Sequence, residues 1–190
     1  METQLTAEER QTLLRLARQA LEMGIRGDTP IPIRLSQLSP ALRENGASFV
    51  TLTRRGQLRG CIGTLEARQP LAQDVQEHAI AAALNDPRFA PVSPTELDEI
   101  EIEVSCLTPP KQLHYTSAED LLEKLRPGND GVTLRDSSGR RATFLPQVWR
   151  QLPDKDEFLS HLCQKMGASP HAWRTQRLTV HTYQVEEFHE

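Results

Sequence analysis

Leu58-Arg59-Gly60-Cys61-Ile62-Gly63 decides the fold, because it is the returning half of a β-hairpin and sets a thiol between two glycines. Ahead of it, the stretch from Ala47 to Thr53 is rich in β-branched and aromatic residues. Arg54-Arg55-Gly56-Gln57 lies between the two runs and has the composition of a tight turn. Glycines inside a strand mark a bulge or a close backbone approach. A cysteine there is either a small core filler or a nucleophile. As a nucleophile it needs its thiolate, and so a cation, a base or a helix N-terminus nearby. Arg59, two residues before Cys61, shares its face if the strand is regular.

Downstream, Pro70 fits the start of a helix. Leu71, Val75, Ala79, Ala82 and Ala83 make one stripe of it, and Asn85 ends it. The alanine face allows close packing on a sheet. The N-terminus of this helix is expected to point back toward the end of the Cys61 strand. Asn85-Asp86-Pro87-Arg88-Phe89 is turn chemistry. Asp86 and Arg88 either pair to shape that loop or line a cleft with Arg59. From Glu99 to Leu107, Ile100, Ile102, Val104 and Cys106 alternate with Glu99, Glu101, Glu103 and Ser105, which is a strand with one apolar face. Cys106 belongs to the core. Same-face glutamates on a strand stand about 7 Å apart. Glu101 and Glu103 are therefore candidates for acid/base work or metal binding beside the hairpin, against the alternative of a solvated face. Glu99 reads as surface.

The flanks complete an α+β pattern. Thr6-Ala7-Glu8-Glu9 is a capping box, followed by Leu13, Leu14, Ala17, Ala20 and Leu21 at helical spacing, with Gly24 as the stop. A proline-punctuated connector follows, from Thr29 to Pro40. Past Pro110, Ser117 caps a short helix, and two strands flank the turn Asp136-Ser137-Ser138-Gly139. Asp130 caps a turn before them. Pro146 to Trp149 forms a helical turn and Asp154 to Met166 a helix. Trp149 and Trp173 anchor the core. Leu178 to Val185 is the last strand, and Glu186-Glu187 an exposed tail. The sheet is mixed and largely antiparallel, flanked by helices, and the 70–84 helix can supply one crossover.

The 190 residues suit one domain of two intimately packed lobes, a larger and a smaller one. A net charge of −4 gives no support to nucleic-acid binding, although a local basic patch is compatible with it. The three cysteines are far apart and form no Cys-x-x-Cys pair, which points to a reducing cytoplasmic setting. No apolar run reaches membrane-spanning length. No ligand pair has metal-motif spacing, and no phosphate-cradling glycine loop is present, so no cofactor is implied. His78 borders the buried stripe of its helix, and no histidine carries a partner signature that would make it the base for Cys61.

Taken together, these stretches resemble one family. Leu58-Arg59-Gly60-Cys61-Ile62-Gly63-Thr64 is similar to the hallmark of AMMECR-type domains, the A protein of the AmmeMemoRadiSam system. Asn85 to Phe89, Pro91-Val92-Ser93, Glu99 to Ser105, Asp130-Gly131-Val132, Leu145 to Trp149 and Phe158-Leu159 follow in the same order. The resemblance implies a two-lobed α+β fold. It also implies two partners, a radical SAM enzyme and a Memo-type protein. It makes the hallmark residues Arg59, Gly60 and Gly63, with Asp86 and Arg88, a candidate substrate- or partner-binding set. Two functional readings stay open. In one, Cys61 is a nucleophile, Arg59 holds an anionic substrate and Glu101 or Glu103 moves protons. In the other, the hallmark surface docks a partner without chemistry.

Overall fold

Thr6 opens the first helix, α1 (Ala7–Arg26). Its side chain accepts from the N–H of Glu9 at 3.2 Å, and the Glu9 carboxylate accepts the Thr6 N–H at 2.7 Å. The helix runs past Gly24 and stops at Gly27, whose φ of 80° only glycine adopts cheaply. Gly24 instead provides clearance: a Cβ there would lie 3.2 Å from the side chain of Ile80. The computed structural model describes residues 4–190.

The connector contains a 3-10 turn at Leu35–Gln37 and leads to α2 (Pro40–Arg43). Strands β1 (Asn45–Arg54) and β2 (Gln57–Gly63) then form the hairpin. Arg55 and Gly56 both take positive φ, 51° and 73°, the turn geometry that matches strand twist. A two-residue strand, β3 (Gln69–Pro70), pairs with the start of β1 and leads directly into α3 (Leu71–Leu84). A 3-10 turn at Pro94–Glu99 leads to β4 (Ile100–Leu107). The sheet order is β2-β1-β4-β9, where β9 is Val185–His189. Both β2 and β4 are antiparallel to β1, so they run parallel to each other, with α3 as the crossover. Ser48, Val50 and Leu52 face α1 and α3 and are fully buried, while Phe49, Thr51 and Thr53 take the opposite face.

The chain divides into two compact units, residues 4–108 with 186–190 and residues 109–185. The second carries its own antiparallel sheet, β5-β8-β6-β7. Its strands are β5 (Lys111–Gln112), β6 (Gly131–Arg135), β7 (Arg141–Phe144) and β8 (Thr179–Tyr183). Its helices are α4 (Ala118–Lys124), α5 (Lys155–Lys165) and α6 (Ala172–Thr175). Trp149 stacks on Phe158 with centroids 3.6 Å apart, and Trp173 is buried, so both tryptophans anchor this core. Asp130 accepts the Arg126 N–H at 2.9 Å, and its carbonyl accepts the Trp149 indole N–H at 2.7 Å.

The acidic end of the chain is a strand rather than a tail. Glu186 accepts from the Leu5 N–H at 3.1 Å and pairs with Arg10, Glu190 pairs with Arg18, and Phe188 is buried. Of the two acids that suggested an exposed tail, Glu186 ties β9 to α1, while Glu187 is exposed.

Candidate functional site

Gly60 faces Leu52 and Leu58 faces Thr53, so Arg59 has no partner on β1. It is the extra residue of a β-bulge, and a bulge re-aims a side chain. The expectation that Arg59 shares a face with Cys61 assumed a regular strand, and the bulge overturns it. Arg59 makes four hydrogen bonds elsewhere. Nε and Nη2 grip the Glu96 carboxylate at 2.9 and 3.2 Å, Nη1 reaches the Ala90 carbonyl at 2.7 Å, and Nη2 the Pro91 carbonyl at 3.2 Å. Arg59 thus pins the 90–96 loop to the hairpin. Glu96 also accepts the Ser93 N–H at 2.8 Å, completing a capping box visible in Ser93-Pro94-Thr95-Glu96.

The hydrogen bonds from Arg59, together with those from Ser93, hold the Glu96 carboxyl down at about 2, against an ordinary value of 4.5. A carboxyl depressed on folding stabilises the fold above its unfolded pKa and loses that contribution as pH falls through the folded value. The stabilisation is therefore complete above pH 4.5 and fades between 4.5 and about 2. Arg59→Lys keeps a charge but not the two-pronged grip. Its melting temperature is expected to fall below that of the parent at pH 7, with the gap closing toward pH 2. A pH-independent gap measured by thermal melts would contradict this.

Gly60 and Gly63 are required by different neighbours. A Cβ on Gly60 would collide with the carbonyl oxygen of Ala82 on α3, and one on Gly63 with the ring of Phe49 and the carbonyl of Ser48. The alanine stripe therefore packs hard onto β2, as the helix sequence implies. The end of the helix differs from expectation. The start of α3 is tied to the beginning of β1, where Leu71 N–H donates to the Glu44 carbonyl at 2.9 Å. Its C-terminal turn lies over Gly60. The helix N-terminus is thus remote from the thiol, and the helix dipole does not favour a thiolate there.

The loop after α3 supplies the electrostatics instead. The Asp86 carboxylate accepts the Cys61 N–H at 2.8 Å. Arg88 donates to Asp86 from Nε at 3.0 Å and from Nη2 at 2.7 Å, and Nη2 also reaches the Cys61 carbonyl at 3.3 Å. Asp86 and Arg88 therefore satisfy both outward-facing polar groups of Cys61 on the edge strand. The Asp86 side chain is 2% exposed and that of Arg88 54%. The Arg88 guanidinium holds the Asp86 carboxyl far below the usual carboxylate range, despite burial. The hydrogen bond to Asp86 raises the pKa of Arg88. Arg88 is the cation that reaches the Cys61 backbone.

Because the Cys61 N–H and C=O turn away from β1, Cys61 and Thr51 form a non-hydrogen-bonded cross-strand pair, the kind with the closest side chains. The Thr51 hydroxyl donates to Cys61 Sγ at 3.3 Å. Thr51 in turn faces Glu103 on β4, and Thr53 faces Glu101. Cys61, Thr51 and Glu103 make one row across the open face, with the thiol and Glu103 two strands, about 10 Å, apart. Glu101 is exposed and lies 3.4 Å from the Thr53 hydroxyl. Glu99 belongs to a different cluster, pairing with Arg54 and Arg55 at 2.6 and 2.7 Å.

Cys61 is partly exposed, whereas Cys106 and Cys163 are buried. Burial pushes the Cys106 thiol up to about 12 and raises that of Cys163. His78 lies on the other side of the sheet. Its Nδ1 meets buried Asp74 at 3.1 Å, and Asp74 also accepts the Ser48 hydroxyl at 2.6 Å and N–H at 2.9 Å. Ser48 faces away from Thr51 and Cys61, so this cluster braces α3 against β1. Thr51, Glu96 and Asp74 were not singled out in the sequence. Register, once known, identifies Thr51. Among the described residues, no group of three or more His, Cys, Asp or Glu side chains is arranged to hold a metal. No helix among them is long and apolar enough to cross a membrane.

A two-unit α+β chain whose first sheet ends in an arginine–thiol–glycine edge strand is one recurrent class. The chain belongs to the AMMECR1 family, whose model matches residues 14–188. A protein of Methanothermobacter thermautotrophicus is 40% identical over 187 residues, spanning 98% of this chain and 96% of its own. Protein MK0488 of Methanopyrus kandleri is 39% identical over 202 residues, 100% and 92% of the two chains. Among solved structures, the uncharacterised protein PH0010 from Pyrococcus horikoshii superposes with a TM-score of 0.75. It is 35% identical and covers 94% of this chain and 89% of its own.

Proposed function

We propose that this protein is the thiol-bearing component of a radical-SAM-linked modification system, with Cys61 as its reactive group. One observation carries the reading. Cys61 is partly exposed, its Sγ accepts a hydroxyl from Thr51 and its carbonyl accepts from the Arg88 guanidinium, while the other two cysteines are buried. Reactive cysteines sit in electropositive, partly exposed surroundings, and structural ones do not. In this reading Cys61 is the nucleophile. Arg88 stabilises its thiolate and Asp86 positions Arg88 and the Cys61 backbone. Gly60 and Gly63 let helix and ring approach the strand. Arg59 acts one step removed, by fixing the loop that follows Arg88. Glu101 or Glu103 handles protons on a substrate lying across the open face. The link to a radical SAM enzyme and a Memo-type protein rests on the family resemblance.

Limited alkylation with iodoacetamide, read by peptide mass spectrometry, tests the thiol. Cys61 is expected to label at least roughly tenfold faster than Cys106 and Cys163. Equal labelling of all three would contradict the assignment.

A second reading, partner docking without chemistry, is favoured by Leu58 and Leu65. These large apolar side chains are 45% and 39% exposed at either end of the hallmark strand. Capture of the radical SAM partner separates the two. Loss with Leu58→Glu and Leu65→Glu but not with Cys61→Ala supports docking.

A further inference from the structure

The connector between α1 and α2 does more than cross the surface. It walls a cleft of about 360 Å³ on the first unit. The floor and walls are Leu16, Ala20 and Met23 from α1, with Ile31, Ile33 and Leu38 from the connector. Gln76 on α3 fixes one wall by donating to the Ile31 carbonyl at 3.0 Å. The rim is polar: Gln19, Arg34 and Gln37. Among the described residues, the side chains of these three make no hydrogen bond or ion pair. Arg34 is the sole charged residue of the lining, and no acid is among it.

We propose that this cleft binds a small anionic amphiphile, a carboxylate on an apolar body of eight or so carbons. Three features select that chemistry. The apolar floor favours a hydrocarbon body, because covering it removes apolar surface from water. The rim offers donors without a competing carboxylate, and arginine grips a carboxylate with two parallel N–H bonds. The volume suits about a dozen non-hydrogen atoms, at the low end of small-molecule sites. Ile31, 64% exposed, is the apolar side chain such a body would cover. The cleft is separate from the Cys61 strand, and the inference is independent of the function proposed for that thiol.

Octanoate, octanol and small vesicles of anionic phospholipid are the probes, with the full chain and Arg34→Gln. Arg34 is exposed, so the variant is expected to melt with the parent. Octanoate should bind saturably by calorimetry, shift the methyl signals of Met23, Ile31 and Ile33, and bind about tenfold more weakly to Arg34→Gln. Octanol should bind both proteins alike and more weakly than octanoate binds the parent. Absence of saturable octanoate binding, equal affinity for parent and variant, or co-sedimentation with vesicles without octanoate binding would each overturn the proposal.

Discussion

Gly60→Ala is expected to cost about 3 kcal/mol of stability, the upper end for adding volume to a packed site. For a chain of this size that lowers the melting temperature by about 6–12 °C. The new Cβ meets a backbone carbonyl, that of Ala82, rather than the end of a flexible side chain. Relief therefore requires α3 to move off β2. Gly56→Ala is the natural control, since Gly56 has φ 73° and no atom near its missing Cβ. It carries only the backbone strain of a left-handed residue, about 1 kcal/mol. A Gly60→Ala protein that melts within a degree or two of Gly56→Ala would contradict the close packing of helix and strand. Because Asp86 follows α3 directly, the same shift is expected to loosen its hold on Cys61.

Asp86→Ala is the second large expectation. The carboxylate is buried, accepts the Cys61 N–H and accepts three bonds from Arg88, two from its guanidinium and one from its backbone N–H. Removing it leaves an edge-strand donor and an exposed cation without their acceptor. The unmade hydrogen bond on the buried side alone costs about 1–3 kcal/mol, and chemical denaturation should register a loss of about 3 kcal/mol for the whole network. Asp86→Asn keeps an acceptor of the same shape and should lose about half as much. The sign of the pH dependence follows from the depressed carboxyl. Its contribution is complete above the unfolded value, near 3.8, and is lost as pH falls toward the much lower folded value. The parent and Asp86→Asn curves should therefore converge below pH 3.8. Parallel curves through that window would mean that the charge on Asp86 contributes nothing.

Much of this architecture is legible in the residues themselves. Arg54 to Gln57 marks the hairpin, the 71–83 alanine stripe marks the packing helix, and the alternation from Ile100 to Cys106 marks β4. Each is a local pattern, set by side-chain periodicity. What is not legible depends on register or on distant partners. The bulge at Arg59 is one unpaired residue in an otherwise regular strand, and no local pattern announces it. It turns the arginine nearest in sequence toward Glu96, while Arg88, 27 residues beyond Cys61, reaches the Cys61 carbonyl. The stop of α1 falls at Gly27 rather than Gly24 because Gly24 is needed for contact with Ile80. Nothing local marks Asp74 for burial; it is buried because Ser48, on another element, and His78 satisfy it. Glu186 looks like part of a tail until Arg10 is seen beside it.

The hallmark strand thus has two kinds of residue. Gly60, Gly63 and Arg59 build the edge, and Cys61 is the residue to which we assign the proposed chemistry. The neighbours that bear on that proposal are Arg88, which donates to the Cys61 carbonyl, and Thr51, which donates its hydroxyl to Sγ. Glu103 lies in the same row but two strands away, too far to take the thiol proton directly. Its place suits contact with a bound substrate instead.

The central claim is that Arg88 and Thr51 make Cys61 reactive. The most direct measurement is the alkylation rate of Cys61 at one neutral pH, in the parent, Arg88→Gln, Arg88→Lys and Thr51→Val, with melting curves recorded alongside. The account predicts a rate roughly fivefold lower in Arg88→Gln, partial recovery in Arg88→Lys and a smaller loss in Thr51→Val. Unchanged rates in Arg88→Gln and Thr51→Val, with both proteins folded, would contradict it.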